Sequence, residues 1–377
     1  MQQLDRPTQP AAANNPATDP GRAAEGAGGG SRERDAYFDN VKFLTIVLVV
    51  CGHAWEPLTY GSRAATALYL LVYAFHMPAF ALVSGYFSRT FDTAPKRLRR
   101  LVTSVVVPYL VFETAYTLFY RWAQDDPHYP LSLLDPWYVM WFLLALFIWR
   151  LSTPIWLALR PAVAVAASVA VAALASASPG LGGDLALQRV LAFLPAFVVG
   201  LVLRPEHFAW VRSRGVRLAA LPAGVGALVA AYWAAPWFDS GWFYHRGDVT
   251  GRGVPAWAGL IATPALFGLA LLLSACFLAW VPGRRRWFTS LGAGTLYAYL
   301  LHGFLIKSAR FWDWYAHPWL HTPLGELAVT AAAVTVATVL CTLPVRRAFR
   351  LVVEPSVSWV FRREPAVGAG SGAAGPR

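Results

Sequence analysis

The chain has 377 residues, 57% of them apolar and only 14% charged, with 32 Lys and Arg against 20 Asp and Glu for a net charge of +12. A soluble domain of this size carries about 25% charged residues, so the composition excludes an ordinary soluble enzyme. The cations do not mark a nucleic-acid binder either, because 17 Trp and 22 Phe in long apolar stretches need an apolar solvent, not a phosphate backbone.

Residues 1–35 are rich in Pro, Ala, Gly and Asn, contain no apolar run, and are expected to form a disordered tail. No signal peptide precedes the first apolar segment, which is expected to act as an uncleaved anchor. Ten apolar segments follow, at about 38–57, 64–87, 101–120, 136–152, 160–178, 185–203, 216–235, 256–281, 291–310 and 323–343; each reaches or nearly reaches the roughly 20 residues a bilayer crossing requires. Pro154 and Pro161 fall at the connection of the fourth and fifth, where proline ends one helix and starts the next. Residues 351–377 are expected to form a cytoplasmic tail, which leaves 36–350 as one membrane domain. With the N-terminus inside, 25 cations lie on the inner side and seven on the outer, an asymmetry that favours both termini in the cytoplasm. The expected fold is therefore all-α, a multi-pass bundle of about ten transmembrane helices. Cys51, Cys276 and Cys341 have no neighbour at metal or redox spacing, so no disulfide framework and no metal site are expected.

Ionisable groups inside apolar segments are costly and are the first candidates for function. The first segment, FDNVKFLTIVLVVCGHAW, holds Lys42 and His53 eleven residues apart. At 100° per residue they share a helix face, about 16 Å apart along the axis. Lys42 either snorkels to the headgroups or binds an anion, with Asp39 three residues earlier as an alternative partner. The second segment carries His76 before Pro78, then Ser84 and Gly85, small residues that permit close helix packing. Lys96, Arg97, Arg99 and Arg100 follow it, serving either as a topological flank or as an anion clamp. Glu113 and His302 lie in the third and ninth segments. Glu113 either orients His53, contacts an acceptor or pairs with an Arg, and His302 is either a site residue or an interhelical hydrogen-bonding group. Arg150 reads as a topological charge. Two aromatic outer loops, 236–257 and 311–321, contain Asp239, His245, Asp248, Asp313 and His317; the aromatics form either an interfacial belt or sugar-binding faces.

Taken in order, FDNVKFLTIVLVVCGH, FHMPAFALVSGYFS, the Arg97 to Arg100 loop, WFLLALFIWRL and LGAGTLYAYLLHGFLI resemble the acyltransferase 3 family, within it the fucose 4-O-acetylase-like group of membrane sugar O-acetyltransferases. The likeness covers roughly residues 36–350. The family's basic residue, ten-residue gap and histidine fall on Lys42 and His53, with Lys where Arg is more frequent. The resemblance implies acyl transfer from cytoplasmic acetyl-CoA to a carbohydrate or glycan hydroxyl at the plasma membrane. His53, assisted by Lys42, His302 and Glu113, would be catalytic; Lys42, Arg97 and Arg100 would hold the donor, and His76, Asp239 and His245 would contact the acceptor. A buried neutral histidine suits removal of a hydroxyl proton, whether acyl transfer is direct or passes through an acyl-histidine. Other short-acyl transfer, such as succinyl transfer, a proton-coupled exporter of glycan precursors and a lipid-binding scaffold are the competing readings; no repeats support the exporter.

Overall fold

The computed structural model describes residues 35–181 and 184–355. The tails expected at 1–34 and 356–377, and with them the placement of both termini, lie outside the described residues. All regular structure among the described residues is helical. The helices are α1 (Ala36–Trp55), α2 (Arg63–Ser88), α3 (Pro95–Leu101), α4 (Val107–Ala123), α5 (Trp141–Ala158), α6 (Pro161–Ala177), α7 (Leu187–Val202), α8 (Pro205–Val211), α9 (Arg214–Ala234), α10 (Gly241–Tyr244), α11 (Ala256–Trp280), α12 (Thr295–Phe311), α13 (Pro323–Leu340) and α14 (Leu343–Val353). A π-helical turn, Val102–Val106, joins α3 to α4 without a break. The ten expected segments all fall on helices. Eight of them, on α1, α2, α3–α4, α5, α7, α9, α11 and α13, are long and apolar enough to cross a bilayer. The other two, α6 and α12, have 17 residues each, and α12 is interrupted by Lys307 and Arg310. The chain is an integral membrane protein.

Consecutive crossings run antiparallel. At one end the start of α1 meets the ends of α2 and α11: Phe38 stacks on Tyr86 at 4.9 Å, and the Tyr37 hydroxyl donates to the Leu278 carbonyl at 3.0 Å. Lys42, Arg89, Arg97, Arg100, Arg150 and Arg284 belong to this basic end. At the opposite, loop end, Trp55 donates its indole N–H to Thr330 of α13 at 2.8 Å, and the Tyr315 hydroxyl donates to the Ala54 carbonyl at 2.9 Å.

Helix α2 is the central element, packed against α1, α7, α9 and α11. Its tightest crossing is with α7, where Gly85 faces the Phe197 carbonyl and Gly200 faces the Leu82 carbonyl so closely that a Cβ at either glycine would meet backbone. Small residues replace side-chain volume by backbone contact here, as expected where lipid supplies no hydrophobic drive for helix association. The fourth segment differs from its expected bounds. Asp135–Pro136 keeps the chain irregular up to Met140, whereas Pro154 sits inside α5 and only Pro161 starts a helix. The ring at Pro154 removes one ladder bond, to the Arg150 carbonyl, close enough to the helix end to be tolerated. Beyond α13 the chain forms α14, an amphipathic helix against α12, α13 and α4.

Candidate active site

At the loop end, α1, α2, α4, α7, α10, α12 and the 129–138 segment enclose a cavity of about 380 Å³. His53, in the last turn of α1, lines it. Its neighbour Gly52 has no side chain, which lets the Tyr73 ring of α2 lie against α1. The Tyr73 hydroxyl is thereby 3.2 Å from His53 Nδ1. Tyr73 is fixed in turn: it stacks on Tyr69 at 4.0 Å and meets the His76 ring edge-on at 4.7 Å, while the Tyr69 hydroxyl is hydrogen-bonded to that of Tyr244.

Tyr138 and His302 also stand against the His53 ring, with ring centroids at 4.9 and 5.5 Å. His302 is completely buried, and its Nδ1 is 2.8 Å from the Ala298 carbonyl. A carbonyl only accepts, so Nδ1 carries the proton and Nε2 is an acceptor. That Nε2 and the Tyr138 hydroxyl are buried without hydrogen-bond partners among the described residues. A buried polar atom left unpaired costs about 1–3 kcal/mol, so two of them beside one imidazole mark a place where polar ligand atoms belong.

The other sequence candidates are distributed as follows. His76 lines the cavity and donates from Nδ1 to the Val72 carbonyl at 2.8 Å. Glu113 lines it too; both carboxylate oxygens accept the Trp137 amide N–H at 3.0 Å, and among the described residues no Arg pairs with it and no hydrogen bond joins it to His53. Asp239 is ion-paired with Arg252 at 2.5 Å and accepts the Gly241 amide, away from the cavity wall. His245 packs edge-on against Phe193 at 5.0 Å and borders a small adjoining cavity instead. Burial, with Arg189 and Arg252 nearby, pushes the His245 imidazole down to about 4. Lys42 stands at the opposite end of α1, paired with Asp39 at 2.6 Å, and does not join His53.

Several lining residues escape a reading of the sequence alone. Tyr73, Tyr138 and Tyr244 look like ordinary interfacial aromatics. Lys307 and Arg310 carried a signal, being cations in the apolar run LLHGFLIKSARF, just C-terminal to His302. Arg310 pairs with Glu56 at 3.0 Å. The Lys307 ammonium lies over the Tyr138 and Trp137 rings, at 4.3 and 5.1 Å. Arg189 and Arg246 complete the cationic side of the wall.

A second cavity, of about 540 Å³, opens at the basic end and is lined by Phe87, Ser88, Lys96, Arg97, Arg100 and Arg150 among others. Arg97 touches Asp92 at 3.3 Å, Arg150 donates to the Ser88 hydroxyl at 3.3 Å, and Lys42 approaches the Phe87 ring at 5.9 Å. Arg150, read as a plain topological charge, is thus part of a basic pocket. The two cavities share no lining residue, and the core between them contains Ile46, Val49, Phe142 and the packed Phe80.

Comparison with known proteins identifies the family. The family described as "Acyltransferase domain" matches residues 35–343. Two proteins called nodulation protein NolL are similar over a short stretch: that of Mesorhizobium japonicum is 40% identical over 62 residues, 16% of this chain and 17% of its own length. That of Sinorhizobium fredii is 38% identical over 60 residues, 15% of this chain and 16% of its own. The chain therefore aligns with only about a sixth of either relative. No solved structure matches. The family match runs from the first turn of α1 to the start of α14 and so takes in every helix that walls the histidine cavity; the chain belongs to the acyltransferase domain family and is an integral-membrane acyltransferase.

Proposed function

We propose that the protein transfers an acetyl group from acetyl-CoA to a hydroxyl of a sugar or cell-envelope glycan at the plasma membrane, with His53 as general base. The observation that carries this reading is the His53 constellation: an imidazole oriented by Tyr73, beside an unpartnered acceptor on His302 and an unpartnered hydroxyl on Tyr138. With Nδ1 donating to the Tyr73 oxygen, Nε2 of His53 is free to take the acceptor's hydroxyl proton. The acceptor oxygen then bonds to the acyl carbon, the carbon–sulfur bond breaks, and the proton passes from His53 to the departing sulfur. His302 Nε2 accepts a second acceptor hydroxyl, and the Tyr138 hydroxyl donates to the acyl oxygen as charge develops on it. Glu113 holds the 137–138 backbone, and hence Tyr138, in place through the Trp137 amide.

The basic-end cavity suits the phosphates of the donor, because Arg97, Arg100, Lys96 and Arg150 place four cations around one space, with Lys42 near its Phe87 wall. That placement, together with the excess of cations at this end, supports a cytoplasmic orientation for it. The donor's acyl arm reaches His53 along the α1 face, an axial distance of about 16 Å, once Phe80 and Phe142 give way. The test is label transfer from radioactive acetyl-CoA to membrane glycans by wild type and His53→Ala. General-base loss lowers turnover by about 10²–10⁴-fold. Equal turnover in the two proteins removes His53 from the mechanism.

A further inference from the structure

The cavity that holds His53 is cationic beyond what its own carboxylates neutralise. Four cations line it, Arg189, Arg246, Lys307 and Arg310, against Glu56, Glu113 and Asp135. Glu56 is committed to Arg310 and Glu113 to the Trp137 amide, and Asp135 is exposed to solvent. Among the described residues no carboxylate comes within ion-pair distance of Lys307, Arg189 or Arg246. Lys307 has aromatic rings in place of a counter-ion, and Arg189 donates from Nε to the Tyr244 carbonyl at 3.1 Å with its guanidinium 5.3 Å from the centre of the Trp141 ring.

Lys307 and Arg189 are partly buried while Arg246 is exposed, and holding partly buried cations in a half-enclosed cavity without counter-ions is unfavourable unless a ligand supplies the negative charge. The position of this charge matters. One phenol ring, Tyr138, lies 4.9 Å from the His53 ring and 4.3 Å from the Lys307 ammonium, so a single sugar residue or its phosphate substituent spans the two. The donor's phosphates have a separate basic cavity at the opposite end and do not account for these cations.

We infer that the acceptor is anionic: a glycan or lipid-linked sugar whose acylated hydroxyl sits at His53 while a carboxylate or phosphate on the same or the adjacent residue sits against Lys307, with Arg189 and Arg246 along its path. This rests on the acyl-transfer reading above and leaves the bond changes as written there. Lys307 in this assignment selects and positions the acceptor; it exchanges no proton with it.

The test uses the full chain in membranes supplied with radioactive acetyl-CoA. Alkali-labile label defines the ester product, which is passed intact over an anion exchanger at neutral pH. The expected result is retention of the labelled product. Loss of retention after phosphatase identifies the anion as phosphate, and loss after carbodiimide-mediated reduction identifies a carboxylate. With the retained glycan, deacetylated and titrated as acceptor, Lys307→Met raises the acceptor KM at least tenfold with a smaller change in kcat, and Lys307→Arg restores it. Labelled product that runs through with neutral glycans, or an unchanged acceptor KM in Lys307→Met, overturns the inference while leaving acyl transfer intact. No alkali-labile product from wild type overturns acyl transfer itself.

Discussion

Replacing Tyr73 by Phe isolates one contact of the proposed base. The ring is held by stacking on Tyr69, by the His76 edge and by the face of Gly52, so deleting the hydroxyl leaves the phenyl group in place and removes only the 3.2 Å bond to His53 Nδ1. A neutral hydrogen bond contributes about 0.5–1.5 kcal/mol net. If that energy orients the imidazole in the transition state, kcat falls about two- to twelvefold, at roughly 1.4 kcal/mol per factor of ten. The donor KM stays constant, because Tyr73 lies far from the basic-end cavity. The assay is steady-state transfer of labelled acetyl by detergent-purified protein, with His53→Ala measured alongside. Two results would refute the reasoning. A Tyr73→Phe loss as large as that of His53→Ala makes the phenol itself the proton carrier, and no loss at all means that the bond is not made during turnover.

Three further outcomes are expected. The double variant Arg97→Ala, Arg100→Ala weakens acetyl-CoA binding, measured by equilibrium titration, and the defect shrinks as salt rises; unchanged affinity returns that loop to a topological role. Gly85→Ala places a methyl group against the Phe197 carbonyl, a backbone atom with no rotamer to escape into, and lowers stability by about 1–3 kcal/mol, visible as a lower melting midpoint in detergent. Ser84→Ala, next to it, is the control, and a Gly85→Ala midpoint equal to wild type contradicts the close crossing. His245 is held neutral in the folded protein down to about pH 4, whereas an unfolded histidine protonates near 6.5. The unfolded state therefore binds the extra proton first, and stability falls as pH drops from about 6.5 toward 4, then levels off. His245→Gln removes that part of the slope from the melting midpoint, and an unaltered slope assigns it to other groups.

The sequence was most informative where a residue conflicted with its surroundings. Lys42, His53, His76, Glu113 and His302 each broke an apolar run; three of the five line one cavity, and a fourth, His302, stands against the His53 ring. The eleven-residue spacing of Lys42 and His53 puts them on one face of α1, and the axial separation read from it sends them to opposite ends of the bundle. Tyr73 and Tyr138 were illegible because a tyrosine near a membrane boundary is common, and only the crossing of α2 on α1 at Gly52 and the irregular 134–140 segment turn these two toward the histidine. Arg150 was read as a topological charge for a similar reason. Its position at a helix end satisfied the charge asymmetry, and its place beside Ser88 depends on how α5 lies against α2. Asp239 and His245 stood out because they sit among aromatics; the first pairs with Arg252, and the second packs on Phe193 beside the smaller cavity.

The packed core between the two cavities has a consequence for the membrane as a whole. A polar, ionisable chamber at each end would act as a leak if water joined them, letting protons and small ions run down the membrane potential with every catalytic opening. The stacked interior around Phe80 and Phe142, whose ring centres stand 5.5 Å apart edge to face, acts as electrical insulation. On the proposed route a slender, uncharged acyl arm crosses it by filling the gap it opens, whereas a hydrated ion has no such means of passage. Under the proposed function, chemistry at two faces of a bilayer is thus joined without short-circuiting the gradient across it.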